Sequence, residues 1–135
     1  ATLGSHLPTM LAMTISPWVA VLVGLGSSFG FLLTLGPIVA ARAFTHVIFG
    51  AIGAWLYGKG WKLWQVLLVT LPIHAVGEAI IVMFFGFSLY QALVVIGIGT
   101  ALHHVADSAI TMALHRALGK AGVPLNHTPG YSKAR

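Results

Sequence analysis

The sequence predicts an all-α integral membrane protein, a bundle of five helices of which one is short, with a sixth expected in the intact protein. Three observations carry that expectation. Hydrophobic residues make up 58% of the 135 and charged residues only 7%, with a mean hydropathy of +0.94, whereas a soluble surface needs roughly a quarter of its residues charged. Apolar runs close to the roughly 17–25 residues that cross a bilayer recur along the chain, cut by Pro, Gly and charge. The seven Lys and Arg stand mostly at the ends of those runs, so the high pI reflects membrane topology rather than nucleic-acid binding. With no cysteine, disulfides and thiolate metal sites are excluded.

In chain order, the first apolar segment, 7–16, is too short to cross alone and is ended or kinked by Pro17. No charged n-region precedes it, so it does not read as a signal peptide; Gly4-Ser5-His6 reads equally as a cloning scar and as native sequence. Segment 18–35 can cross, with Gly24, Gly26 and Gly30 as small packing positions. Segment 37–57 is opened by a helix-starting proline and closed by Gly58-Lys59-Gly60. Segment 63–87 contains Pro72, a kink site. Segment 90–118 is long enough to project into water. The chain thus divides into a membrane helix bundle, 1–118, and a cytoplasmic tail, 119–135.

Charge sets the orientation. Lys59 and Lys62 lie between the third and fourth segments, and Arg116, Lys120, Lys133 and Arg135 follow the fifth. Two crossings separate the clusters, so both fall on one side, which the positive-inside rule makes cytoplasmic. Trp55, Tyr57, Trp61 and Trp64 then form an aromatic belt at that interface. Followed backwards, the alternation strands the first short segment's N-terminus outside, which calls for one more helix before it.

An ionisable group at membrane depth costs roughly 2.5–3.5 kcal/mol, so it needs a partner or a polar cavity. Three segments each hold such groups with a histidine at helical spacing: Arg42 with His46, His74 with Glu78, and His103 and His104 with Asp107. Side chains three or four apart share a face and can meet. The plainer readings are that Arg42, about 7–8 Å inside its helix end at a 1.5 Å rise per residue, snorkels to the interface, and that Glu78 bonds His74 or pairs with Arg42. Thr100, Ser108 and Thr111 are expected to back-bond to their own helix, and His115 and His127 to be solvated. Gly26-x-x-x-Gly30 and the Ala109, Ala113, Ala117 ladder would supply helix contacts, leaving the three polar faces to form a pocket. His46, His74, His103 and His104 could instead converge on a metal or haem. No nucleotide-binding, HExxH or GxSxG motif is present, so no enzyme is read and no catalytic residue assigned.

Three stretches, "HLPTMLAMTISPWVAVLVG", "PIVAARAFTHVIFGAIGAWLYGKG" and "GIGTALHHVADSAIT", resemble the substrate-binding S components of energy-coupling factor (ECF) vitamin importers, nearest to the niacin-type or an unassigned member. The resemblance implies six helices with both ends cytoplasmic in a prokaryotic cell membrane. It also implies high-affinity vitamin binding in the outer half, coupling to a transmembrane scaffold and two ATPase subunits that use the ATP, and toppling in the membrane to release cargo. The chain needs no cofactor of its own on this reading, and nucleic acid is no partner. The family's alanine-rich docking motif lies on a first helix that this sequence does not contain. The expected substrate site is Arg42, His46, His74, Glu78, His103, His104 and Asp107, with Arg42 on a ligand carboxylate and Asp107 holding a neighbouring histidine; no metal site is assigned. The alternative is a histidine-rich membrane subunit binding haem or metal.

Overall fold

A computed structural model describes residues 3–125, so His127, Lys133, Arg135 and most of the expected tail lie outside the described residues. The elements follow the predicted segments: α1 (Leu7–Ala12), α2 (Pro17–Thr34), α3 (Pro37–Gly58), α4 (Leu63–Met83), a π-helical stretch (Gln91–Gly97) and α5 (Ile98–Lys120). Four of these helices, counting the π-helix and α5 as one continuous rod, are long and apolar enough to span a membrane. α1 is the short one; its 6 residues cover only about 9 Å at the helical rise.

Prolines begin α2 and α3, where a missing N–H costs nothing, and the Ser16 hydroxyl caps α2 by accepting from Val19 N–H at 3.2 Å. Pro17 is therefore the start of α2 rather than a kink. α4 stops at Met83, short of 87, because the chain turns through Gly86 at φ +85°, a left-handed conformation that favours glycine. Pro72 sits inside an uninterrupted α4.

The helices pack largely in sequence, α2 on α3, α3 on α4, and α4 on the π-helix and α5, while α1 wedges between α2, α3 and α5. The wedge is seated by glycines of α3: Gly50 lies against Thr9, and Gly53 against Met13. Met10, Met13 and Phe49 are fully buried around it. α2 approaches α3 at Gly24, where an added Cβ would stand 2.8 Å from the Val47 backbone nitrogen.

Other expected small-residue contacts are absent from the described fold. A Cβ added at Gly26 or Gly30 would meet nothing within 4 Å, and Ala109, Ala113 and Ala117 are exposed on the outer side of α5. A helix has several faces, and spacing alone does not say which one turns inward. Trp18, Leu22, Phe29 and Leu33 leave α2 greasy on its outer side, as a lipid-facing helix should be.

Both described basic clusters fall at one end of the bundle. His115 meets the Tyr57 hydroxyl at 3.3 Å, and Arg116 shares a cleft with Leu63 and Trp64 beside the α3–α4 turn. His115 is thus half-buried rather than solvated. Trp55, Trp61 and Trp64 are exposed, but Tyr57 is only 3% exposed and packs into the core rather than joining the belt.

Candidate ligand-binding site

α3, α4 and α5 bring their polar faces together, and the segment before α1 closes over them. Glu78 is the hub. Arg42 donates from Nε (3.0 Å) and Nη2 (2.7 Å) to Glu78 Oε2, Thr100 Oγ1 donates to the same oxygen at 2.6 Å, and His74 Nε2 stands 3.3 Å from Oε1. Arg42 therefore reaches across to α4 rather than to the interface or to His46, its neighbour one turn along. A charge-assisted pair so placed satisfies two costly groups at once.

The two histidines of the α5 stretch separate. His103 Nε2 comes within 3.1 Å of Asp107 Oδ2. His104 turns the other way, with Nε2 3.0 Å from the Leu67 carbonyl and Nδ1 3.1 Å from His74 Nδ1. The Leu67 carbonyl also accepts from the Thr70 hydroxyl of its own helix at 3.2 Å.

Asp107, fully buried, has a different task from the one its spacing suggested. Oδ1 accepts from Gly4 N–H at 2.7 Å and Oδ2 from His6 N–H at 3.0 Å. It clamps the chain segment ahead of α1, whose amides would otherwise be orphaned in a low-dielectric interior. The clamp delivers His6 into the bundle, 6% exposed, with its ring centroid 4.8 Å from His46, 4.5 Å from His74 and 4.6 Å from His103. His6 is the residue sequence reasoning missed. It sits in a Gly-Ser-His run outside any long segment, and its only signal is that it is a histidine in a chain with few polar groups.

The hydroxyls of α5 do not fold back on their own helix as expected. Thr100 serves Glu78, Thr111 donates to Met10 Sδ at 3.4 Å, and Ser108 Oγ has no partner among the described residues.

A cavity of about 260 Å³ opens beside this network, lined by His6, Arg42, Glu78, Thr100 and His103 on its polar side and by Val95, Ile96 and Gly99 on the other. The apolar wall belongs to the π-helix and the start of α5; wide π turns frequently mark functional sites. Of the seven predicted site residues, Arg42, Glu78 and His103 line the cavity. His46, His74, His104 and Asp107 stand behind that lining, buried.

The fold and site define a class: a multi-pass helical membrane protein whose buried polar cluster borders a small cavity. No family model matches the chain, and no solved structure matches it significantly. Among characterised proteins it is similar to the niacin transporter NiaX of Lactococcus lactis subsp. cremoris (strain MG1363), at 30% identity over 137 aligned positions that take in 89% of this chain. The alignment spans 62% of that relative's length. The match agrees with the resemblance drawn from the three stretches.

Proposed function

We propose that the chain is the substrate-binding membrane subunit of an ECF vitamin importer and that its cargo is a small anionic heteroaromatic acid of the niacin kind. The observation that carries this is Arg42 on the wall of the cavity, held by Glu78 with one side of its guanidinium. Arg presents five donors in a planar fork, so a guanidinium held on one edge still has N–H groups for a carboxylate. A cavity of about 260 Å³ falls below the roughly 300–1,000 Å³ of pockets for drug-sized ligands, which suits a single ring. His103 and Thr100 would fix its polar edge, and Val95 and Ile96 would take the ring face.

In the cell, the basic clusters at one end of the bundle would face the cytoplasm, the C-terminus would lie there, and the protein would sit in a prokaryotic cell membrane. A scaffold subunit and two ATPase subunits would drive transport, with ATP consumed by those partners.

Equilibrium binding to the purified protein tests the proposal. Nicotinate is expected to bind at least tenfold more tightly than uncharged nicotinamide, a difference of about 1.4 kcal/mol. Arg42→Ala combined with Glu78→Gln, which keeps the site's charge balance, should lose that preference while remaining monodisperse. A preference that survives the double substitution would remove Arg42 from the site.

A further inference from the structure

The geometry points to a divalent transition-metal site at the core of the bundle, formed by His6, His46, His74 and Glu78. This inference does not rest on the vitamin-binding reading, although His6 and Glu78 also line the cavity. One candidate ligand atom from each of these four residues lies within 4.8 Å of the others, and all four residues are buried. Three imidazoles and a carboxylate are a common ligand set for Zn²⁺ and its neighbours, which borderline nitrogen and oxygen donors hold in tetrahedral geometry. Donors about 2.1 Å from an ion stand roughly 3.4 Å apart in a tetrahedron. His74 Nε2 and Glu78 Oε1 are already at 3.3 Å, and small ring rotations would bring the other two in.

Proton placement supplies a second, separate reason. The Leu67 carbonyl can only accept, so His104 Nε2 must carry the hydrogen in their 3.0 Å contact. A neutral His104 then accepts at Nδ1, and His74 Nδ1 must donate across the 3.1 Å between them. A neutral His74 is left with a lone pair on Nε2, facing a carboxylate oxygen of Glu78 at 3.3 Å. Two acceptors face each other in a buried place, which only a cation or a proton between them relieves.

Beside that point, Nδ1 of His46 is buried without a hydrogen-bond partner, its residue 2% exposed. Nδ1 of His6 is 3.0 Å from Asp107 Oδ2 but too poorly aligned to hydrogen-bond. A modest turn of the ring would let Asp107 orient His6 through that nitrogen and leave the other for the ion, as a carboxylate commonly does behind a metal-bound imidazole.

Charge, too, favours a cation at this point. The chain's two acidic residues, Glu78 and Asp107, both abut this cluster, and among the described residues Arg42 is the one Lys or Arg paired there. With the imidazoles neutral, as ligation requires, the buried site carries a net charge of about −1, which costs less when a cation shares it. His6, His46 and His74 stand edge to face with centroids 4.5–5.3 Å apart, close enough for one ion and too close for a porphyrin plane between them.

Titration of the purified, chelator-stripped full chain with Co²⁺ tests this. One Co²⁺ per chain is expected, with the intense visible absorption of a tetrahedral site, displaced by Zn²⁺. His46→Ala should weaken binding by at least about a hundredfold, the upper end of what loss of an outer partner alone costs. His115→Ala, at the other end of the bundle, should leave binding unchanged. Should His46→Ala fail to purify, Glu78→Gln, which keeps the side chain's shape, carries the same expectation. No stoichiometric binding, the pale spectrum of an octahedral ion, or equal affinity in the substituted protein would each overturn the assignment and leave a proton between His74 and Glu78.

Discussion

Asp107→Asn isolates the clamp at the start of the chain. The substitution keeps the side chain's shape but leaves one acceptor oxygen where there were two. Gly4 N–H at 2.7 Å and His6 N–H at 3.0 Å then cannot both be satisfied, and one of them faces the new NH₂ donor. A hydrogen bond to a charged group is worth about 1.5–3 kcal/mol, and a buried amide left without an acceptor costs a further 1–3 kcal/mol or so. Against this, removing a charge from a site of net −1 recovers some desolvation energy. The loss should win, because both amides depend on this one carboxylate, with a net cost of about 2 kcal/mol. That is close to a thirtyfold change in a local opening equilibrium. Amide hydrogen exchange reads it directly: protection at Gly4 and His6 should fall about thirtyfold, while amides in the middle of α3 and α4 keep theirs. Equal protection in the two proteins would refute the clamp, and a uniform fall across all helices would show that Asp107 supports the whole bundle rather than this segment.

Two further outcomes follow from the packing. Arg42→Ala strands Glu78 as a buried charge, and breaking one side of such a pair costs about 3–5 kcal/mol; the retained Thr100 bond places the loss at the lower end. Adding Glu78→Gln should recover most of it in thermal melts in detergent, and a double variant no more stable than the single would show that the two residues are not coupled. Gly24→Ala should destabilise by about 1–3 kcal/mol through overpacking against the α3 backbone, because the Cβ would stand 2.8 Å from the Val47 nitrogen. Gly26→Ala, in open space, should cost nothing, and equal losses at both glycines would mean that α2 is seated on a different face.

The helices were legible because length and hydropathy alone decide what can cross a bilayer, and the proline at 37 marks a helix start by a local steric rule. The same rule applies at Pro17, although its place after a short apolar run reads as an end or a kink. Cross-helix choices were legible only in part. The Arg42–Glu78 pair was one of the readings open for Glu78 and it forms, but nothing in the spacing showed that His104 would turn from Asp107 to the Leu67 carbonyl and His74. Spacing says which residues share a face, while the angle at which neighbouring helices dock decides which partner is nearer. The π-helix escaped notice for a similar reason. Nothing in Gln-Ala-Leu-Val-Val-Ile-Gly opposes an α-helix, and the wider turn exists where Gly97 closes against Ala75 and Ala79 of α4.

By itself, the sequence determined that this is a membrane bundle, where its helices begin, that the two described basic clusters lie at one end, and that its scarce acids must lie beside polar partners. Each of these follows from the cost of placing charge or unpaired backbone in hydrocarbon, which depends on composition and order alone. Only the tertiary structure decided that the residues before α1 enter the core, that Asp107 holds backbone rather than cargo, and that His6 completes the cluster around Glu78. Those outcomes rest on contacts about a hundred residues apart in the chain, set by how helices pack in three dimensions, which no local pattern encodes.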